Sequence, residues 1–510
     1  MAWVDIAGVG TVGVAADPLP HSLKDSVLSS VLNVSCSAQG VERVRGRAFI
    51  GPTSLVDPHW LLPFATAAGA RRVIQCGLAK IYSNDFTTQT NITRAAGDYT
   101  GGVDDRWTGG VLHGIAVANN GVDKPQFWAG TGLMADLTNW PSTWKCAALR
   151  PFRNFLVAMG VTKGSTRYPY LVNWSHPADP GTLPTSWDIA DATKDAGEFP
   201  LSETSGEVVD GLAFGERFYV YKTDSIYEMQ FIGQPQIFRF SKVSDTYGLL
   251  ARNCVVSTPS GQVALTGGDL VLVSGSGVRS LVTNRMRRWL FSNIDGATRA
   301  RCFLAANPKR NEVYVCFPEL GETTCTMALV WNWETDLLSV RKLTAARHAA
   351  PGLLPMSATR PWSALTGTWD DQAFGWNAAD YGDTDPRLLW TGPQLMAQDQ
   401  GMTDIGAPII SRVERTGLTF GDAARVKCVR GIRPNVEAPA GTVLSIRIGA
   451  QMEPGGGVRW SGLIPFTVGQ NVEAYGFATG RLLAYRIESA GPQFWRLTSV
   501  ALDVVPMGLH

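Results

Sequence analysis

The sequence has few charged residues and no long apolar run. Charged residues make up 17% of the chain, whereas an average soluble protein has roughly 25%. The 45 Lys and Arg residues nearly balance the 44 Asp and Glu residues, so the basic excess of a tight nucleic-acid binder is missing. The strongest apolar run, residues 263–273, is interrupted by Gly267, Gly268 and Asp269 and falls short of the ~20 residues of a membrane helix. We predict neither tight nucleic-acid binding nor a membrane-spanning segment.

The motifs of the common enzyme classes are also missing from the sequence. The six histidines lie far apart, and no His-Glu-x-x-His, Gly-x-Ser-x-Gly or Walker sequence occurs. The eight cysteines include no Cys-x-x-Cys pair, which favours small buried thiols in a reducing compartment over disulfides or a metal site. The opening MAWVDIAG has no basic segment and predicts no secretory signal. We predict no catalytic residue, no cofactor and no metal.

One stretch imitates a dinucleotide site. Residues 8–13 match Gly-x-Gly-x-x-Gly and follow a strand-like segment. A dinucleotide site needs a helix to begin at the third glycine, so that the helix N-terminus can hold the pyrophosphate. Pro18 and Pro20 would end that helix after about one turn. The motif therefore predicts a turn rather than a cofactor site.

An alternative function rests on carboxylates and tryptophans in predicted loops. The doublets Asp104-Asp105 and Asp370-Asp371 could supply the two facing carboxyl groups of a glycosidase. A propeller-borne sialidase is the sharpest form of this alternative, although its Ser-x-Asp-x-Gly-x-x-x-Trp boxes are missing. A further set of residues could stack on sugars in a carbohydrate-binding module: Trp362, Trp369 and Trp376.

The clearest structural pattern runs over residues 208–249. Between Ile226 and Phe231, Tyr227, Met229 and Phe231 alternate with polar residues, a period of two that is typical of a β-strand. Gly-, Asp- and Ser-containing breaks separate this strand from its neighbours, as in an antiparallel meander. We interpret the stretch as one blade of a larger radial β-structure.

Strand-like segments of the same kind recur along most of the chain. They return at intervals of roughly 40 to 60 residues, near the propeller period but without a WD or kelch signature. We predict an all-β fold with a degenerate β-propeller-like body, a C-terminal β-sandwich-like module and few short helices; stacked sandwiches are the alternative. The predicted division is an extended or β segment over 1–55, the body over 56–420 and the C-terminal module over 421–510.

Few segments have helical spacing. Residues 23–32 form one candidate, and residues 283–291 form a better one, because Met286, Trp289 and Leu290 share a helix face. Residues 351–385 are predicted to be long loops, and residues 407–413 a strand leaving the body. The second helix carries the candidate subunit-interface or channel residues: Arg285, Arg287 and Arg288.

Several short signatures, taken in order, resemble the tail hub or tail nozzle proteins of short-tailed bacteriophages (the tail tubular protein B-like, tail-stabilisation family). They are structural rather than catalytic signatures, and they are spread over most of the chain. They are Asp17-Pro18-Leu19-Pro20, residues 23–34, residues 39–47 with the Arg-x-Arg-Gly element Arg43-Val44-Arg45-Gly46, residues 172–180 (Val-Asn-Trp-Ser-His-Pro-Ala-Asp-Pro) followed by Trp187, Asp224-Ser225-Ile226-Tyr227, Phe231-Ile232-Gly233, residues 478–488 and Trp495-Arg496-Leu497.

The resemblance implies a structural virion protein and not an enzyme. It implies a homo-oligomeric ring, a hexamer, that continues the portal-adaptor channel, retains the packaged genome and conducts double-stranded DNA during ejection. The implied partners are the tail adaptor (head-to-tail connector) and tail fibre proteins, and the implied location is the virion tail, assembled in the host cytoplasm. Sparse surface charge agrees with large subunit interfaces, and a near-neutral balance agrees with a conduit that does not hold DNA back.

Overall fold

The computed structural model describes residues 2–66, 68–355 and 384–509. Nearly all of the regular structure is β, which confirms the predicted fold class. In the described ranges the helical structure is limited to one short α-helix, α1 (Arg287–Asn293), and two 3-10 turns, Pro20–Ser22 and Gly296–Arg301. Five strands open the chain: β1 (Ala2–Ala7), β2 (Ser30–Leu32), β3 (Val34–Ser37), β4 (Gly40–Arg43) and β5 (Arg47–Thr53).

Six four-stranded antiparallel sheets then follow, each built from four consecutive strands. The first three are β6 (Trp60–Ala65), β7 (Arg71–Cys76), β8 (Ile81–Asn84) and β9 (Gln89–Asn91); β10 (Thr108–Leu112), β11 (Ile115–Asn119), β12 (Gln126–Trp128) and β13 (Ala135–Asp136); and β14 (Trp144–Phe152), β15 (Phe155–Lys163), β16 (Thr166–Trp174) and β17 (Gly197–Pro200). The next three are β18 (Val208–Phe214), β19 (Arg217–Lys222), β20 (Ile226–Phe231) and β21 (Phe238–Ser244); β22 (Val255–Thr258), β23 (Gly261–Leu265), β24 (Leu270–Ser274) and β25 (Gly277–Ser280); and β26 (Phe303–Asn307), β27 (Glu312–Phe317), β28 (Cys325–Asn332) and β29 (Leu338–Ala346).

A seventh four-stranded sheet completes the circular arrangement of sheets within the chain. It contains β30 (Ala349–Pro355), β31 (Thr384–Trp390) and β32 (Gln394–Gln398), and its fourth strand is β5 from the other end of the chain. The first strands of successive sheets lie beside one another, and β30 returns to β6, while the first two sheets share one hydrophobic core. The body is therefore propeller-like, and the meander predicted over residues 208–249 is its fourth blade.

Two short strands, β33 (Thr403–Asp404) and β34 (Ala407–Pro408), form a separate hairpin. The last eight strands join β1 to β4 in a sandwich of two six-stranded sheets. They are β35 (Ser411–Leu418), β36 (Arg425–Glu437), β37 (Val443–Gln451), β38 (Arg459–Trp460), β39 (Ile464–Thr467), β40 (Ala474–Gly480), β41 (Leu482–Ser489) and β42 (Arg496–Leu509). One sheet has the order β3-β4-β42-β36-β40 with β1 on β42; the other has β2-β35-β41-β37-β38 with β39 on β37. Leu444, Ile446 and Ile448 point into the core between them, as their alternation predicted.

Strand pairing crosses both predicted segment boundaries. Strands β1 to β4, from the predicted 1–55 segment, pair within the C-terminal sandwich, and β35, from the predicted 56–420 body, does so as well. Strand β5 pairs instead with β32 of the body, with Ala48 opposite Ala397. The sandwich is thus assembled from both ends of the chain, which the order of segments along the sequence did not reveal.

Three local predictions are corrected. Residues 23–32 contain no helix: they form turns followed by β2, because Leu32 pairs with Arg412 of β35. The predicted strand at 407–413 is interrupted between β34 and β35. The predicted loop at 351–385 begins and ends in β30 and β31, whereas residues 356–383 lie outside the described residues. Pro351 fits β30 because an edge strand has one unpaired side.

The sandwich is fixed to the outer edge of the sixth blade. The backbone N–H of Lys342 donates to the side-chain oxygen of Asn33 (2.8 Å), and the backbone N–H of Asn33 donates to Val340 O (2.8 Å). The Glu42 carboxylate joins Arg310 of that blade (2.8 Å) to Arg496 of the sandwich (2.9 Å). Apolar residues of both parts form one continuous core. The two parts therefore pack as one body.

A buried ion pair holds four blades together near the propeller axis. The Arg150 guanidinium donates two hydrogen bonds to the carboxylate of Asp210, at 2.9 and 2.6 Å, and one to Gly109 O at 3.1 Å. The backbone N–H of Asn253 donates to the Asp210 carboxylate (3.0 Å), and the side-chain oxygen of Asn253 accepts a hydrogen bond from Arg150 (2.8 Å). Burial alone would raise the pKa of Asp210, but the charge and hydrogen bonds of Arg150 hold it below its usual range. The pair therefore stays ionised at neutral pH.

We expect Asp210→Asn to lower the free energy of unfolding by about 3–5 kcal/mol, because it leaves the buried Arg150 charge without a partner. Urea denaturation followed by circular dichroism measures this change. The matched control is Arg217→Gln, which breaks an exposed ion pair with Glu228 (3.0 Å) and should cost ~0–1 kcal/mol. Equal effects of the two changes would contradict the role of the buried pair.

The contribution of this ion pair to folding stability depends on pH. Because the folded-state pKa of Asp210 is depressed, the stabilisation is fully present above the unfolded-state pKa of about 3.9. It is lost as the pH falls through the lower, folded-state pKa.

Candidate functional site

The predicted arginines lie at the start of α1, between the fifth and sixth blades. The predicted helix over 283–291 begins later, at Arg287, because Asn284 has a left-handed φ of 58° and Met286 is not helical. Asp17 caps this helix from another part of the chain: its carboxylate accepts the backbone N–H groups of Arg288 (2.8 Å) and Trp289 (3.0 Å). A carboxylate is favoured there by the unpaired N–H groups of the first turn.

The three arginines have different surroundings. Arg285 forms an intrachain ion pair with Asp336 (2.8 Å) and also donates to Asp336 O (2.7 Å). Arg287 and Arg288 are exposed, and among the described residues their side chains donate to backbone carbonyls, those of Gly268 (2.7 Å) and Asp17 (3.0 Å). Arg285 therefore forms an ion pair within the chain, and the other two do so with no described carboxylate. The interface or channel role stays a prediction for all three arginines.

An open groove of about 660 Å³ lies beside α1. Arg287 and Arg288 line it together with Asp17, Asn284 and Phe291. Neither Arg287 nor Arg288 forms an ion pair among the described residues. The groove lining therefore combines two arginines without an ion pair, one carboxylate that caps α1 and one aromatic ring.

A second exposed surface, the outer aromatic face, lies on the sandwich and consists of Trp3, Tyr475 and Phe477. Tyr475 and Phe477 stand two residues apart on β40, and are 68% and 73% exposed. Trp3 and Tyr475 both lie over Gly431, and the Arg433 guanidinium stacks on Trp3 at 3.8 Å. Strand β40 is the free edge of its sheet. Such an edge is a template for pairing with another chain.

Sequence reasoning missed the outer aromatic face. The available signal was the alternation of Tyr475 and Phe477 with Gly476 and Ala478, just ahead of the segment 478–488. That alternation predicts a strand with one aromatic side. It does not reveal which side points to solvent, because the partner strands come from elsewhere in the chain.

The predicted aspartate doublet that lies within the described residues, Asp104-Asp105, does not form a facing acid–base pair. Asp104 is occupied by an ion pair with Arg301 (2.9 Å), and the Asp105 carboxylate accepts the Gly102 N–H (2.9 Å). Asp370 and Asp371 lie outside the described residues, as do Trp362, Trp369 and Trp376. After β1 the Gly8 to Gly13 motif turns and enters no helix, as expected.

The other negative predictions concern thiols, metals and membranes. All eight cysteines are free, and burial raises the pKa of the Cys36 thiol to about 12. In the part of the chain that the structure describes, no cluster of three His, Cys, Asp or Glu side chains could hold a metal ion. Over the same residues, no helix has the length and apolar character needed to cross a membrane.

Comparison with known proteins adds no relative: no protein-family model matches this chain, and no curated protein matches it.

We expect Arg285→Gln to lower the free energy of unfolding by about 1 kcal/mol, because it breaks the intrachain pair with Asp336. Arg287→Gln and Arg288→Gln should each stay within about 0.5 kcal/mol of the wild type, since their side chains are exposed. Thermal unfolding of the three single variants measures the difference. A loss of stability in Arg287→Gln as large as that in Arg285→Gln would contradict this division of roles.

Proposed function

We propose that this protein is a structural subunit of a short phage tail. Copies of the chain form a ring, a hexamer, that serves as the nozzle or hub and continues the portal-adaptor channel. The ring retains the packaged genome and conducts DNA during ejection. Support comes from the ordered signatures of the sequence, which resemble tail hub and nozzle proteins, and from the all-β, propeller-like architecture in which such signatures lie.

The observation that carries the proposal is the outer aromatic face. A free monomer leaves the Tyr475 and Phe477 rings in water on an unpaired strand edge. Burying one such ring stabilises an association by about 1.5–3 kcal/mol, and the edge adds backbone hydrogen bonds. Its occupant in the proposal is a second copy of the chain. A head-to-tail contact of this kind closes into a ring when the rotation per subunit fits.

The charge balance supports a conduit rather than a DNA-binding protein. The formal net charge is +1, so few phosphate contacts are available to slow a passing duplex. Arg287 and Arg288 are better placed as contacts to a neighbouring subunit's carboxylates, because they stand in a groove beside an aromatic ring. The tail adaptor and tail fibre proteins are the further partners in this proposal, and the virion tail is its location.

A carbohydrate-binding or glycosidase function is the runner-up, and the described residues give it less support. Its first carboxylate doublet is taken up by Arg301 and by a loop N–H. A glycosidase needs two carboxyl groups facing one bond. We therefore expect no hydrolysis of polysaccharide, peptidoglycan or sialoside.

We expect the purified wild-type protein to form rings, alone or on a tail adaptor, and the double variant Tyr475→Ser/Phe477→Ser to lose them. Light scattering gives the mass, and negative-stain images give the shape. Leu320→Ser is the matched control, since Leu320 is 81% exposed but lies in a loop between β27 and β28. Wild-type protein that stays monomeric in the presence of the adaptor would contradict the proposal. Rings formed by the double variant would show that the outer aromatic face is not the contact between copies.

We expect Arg287→Gln/Arg288→Gln to weaken ring assembly while DNA binding stays negligible at physiological salt. Exposed pairs contribute ~0–1 kcal/mol each, and the effect repeats at every interface of a ring. Fluorescence anisotropy with a labelled duplex at several salt concentrations tests the DNA arm. The alternative is that both residues line the channel. In that case the variant would assemble normally, and the wild-type ring would show a steeply salt-dependent affinity for DNA that the variant loses.

A further inference from the structure

A basic cluster closes one end of the propeller axis. Arg106, Arg301 and Arg347 each stand two residues before the first strand of their blades, the second, sixth and seventh. Because every blade begins with its axial strand, these positions gather at one end. The Arg106 guanidinium reaches across to Arg347 O (2.6 Å), and Arg301 pairs with Asp104 of the second blade (2.9 Å). The three arginines therefore lie close together at this end of the body.

The three arginines surround a small cavity of about 80 Å³. His59 and the hydroxyl-bearing residues Thr323 and Thr324 also line it, and among the described residues no carboxylate does. Asp57 and Asp104 pair with Arg347 (2.9 Å) and Arg301 (2.9 Å) from the rim, where both carboxylates are largely exposed. The cavity wall itself is thus lined by positive and neutral donors.

Among the described residues Arg106 has no ion-pair partner. It is only 5% exposed, and the hydrogen bond of its guanidinium goes to a backbone carbonyl, Arg347 O. Arg252, whose guanidinium donates to Arg106 O at 3.5 Å, has no ion pair within the described ranges either. Burying an unpaired charge costs several kcal/mol unless a counter-charge is present. The buried Arg106 charge is therefore not neutralised by an ion pair among the described residues, although Asp57 and Asp104 pair with its two neighbours at the rim.

We propose that this cavity binds a small tetrahedral oxyanion of the phosphate or sulfate class, held by Arg106, Arg301 and Arg347. The volume fits: it equals the share of about two to three water molecules, enough for one such ion and far too small for a DNA duplex. Guanidinium groups offer planar pairs of donors that match oxyanion geometry. The arginines approach from three blades, and the threonine hydroxyls add donors for the remaining oxygens.

The neighbouring histidine supports this assignment. Burial and the positive charges of Arg347, Arg106 and Arg301 lower the pKa of His59 to about 4, while Asp57 lies 3.8 Å from its Nε2 atom. A bound anion would offset the three positive charges and favour the protonated imidazole. The pKa of His59 should therefore rise when the cavity is filled.

Calorimetric titration with inorganic phosphate tests the proposal on the full chain, after dialysis into a buffer without phosphate or sulfate. We expect saturable binding to the wild type and a rise in its melting temperature. Arg106→Gln should lose binding, and Arg301→Gln and Arg347→Gln should weaken it at least tenfold. The last two are partly exposed (21% and 31%), so they keep the test valid if Arg106→Gln does not fold. Arg217→Gln, on the fourth blade, is the control and should bind as the wild type.

A further arm tests whether the anion binds in this cavity rather than elsewhere on the surface. Sulfate, whose charge is constant over the range, should raise the pKa of His59 in an NMR titration. Absent phosphate binding, unchanged affinity in both Arg301→Gln and Arg347→Gln, or an unchanged His59 pKa would each overturn the assignment.

Discussion

The pairing of β5 with β32 sets the arrangement of both the propeller-like body and the sandwich. It joins the two ends of the propeller-like body, because the seventh blade has only three strands without β5. Gly46, just before β5, passes so close to Thr403 that a Cβ there would overlap the Thr403 carbonyl oxygen. Because β5 closes the propeller-like body in this way, the residues that precede β5 in the chain lie beside the C-terminal strands. Strands β1 to β4 complete the sandwich there.

Two buried or half-buried charge clusters lie where separate parts of the chain meet. Asp210 neutralises Arg150 and links four blades, and Glu42 joins Arg310 and Arg496 across the contact between body and sandwich. Buried charges of this kind contribute little net stability over apolar packing, but removing one partner is costly. They consequently fix which blades and sheets meet. Arg106 departs from this arrangement, since its charge has no ion-pair partner among the described residues.

The two exposed surfaces have complementary characters. The outer aromatic face offers apolar rings on a free strand edge, while the groove beside α1 offers two guanidinium groups. Association through the first would depend on buried apolar area and persist in salt, whereas pairing through the second would weaken as salt screens it. A ring that uses both would gain strength from one and orientation from the other.

The all-β class, the blade over residues 208–249 and the inward side of β37 could be predicted from the sequence, because period-two alternation and turn residues act locally. The short helix could also be predicted, but it begins at Arg287, so Arg285 precedes it. That Arg285 pairs within the chain while Arg287 and Arg288 stay exposed depends on the fold, since Asp336 and Asp17 come from distant segments. The same holds for the fate of residues 23–32 and for the exposure of Tyr475. Which face of a strand meets water, and which charge finds a partner, depends on contacts between residues far apart in the chain.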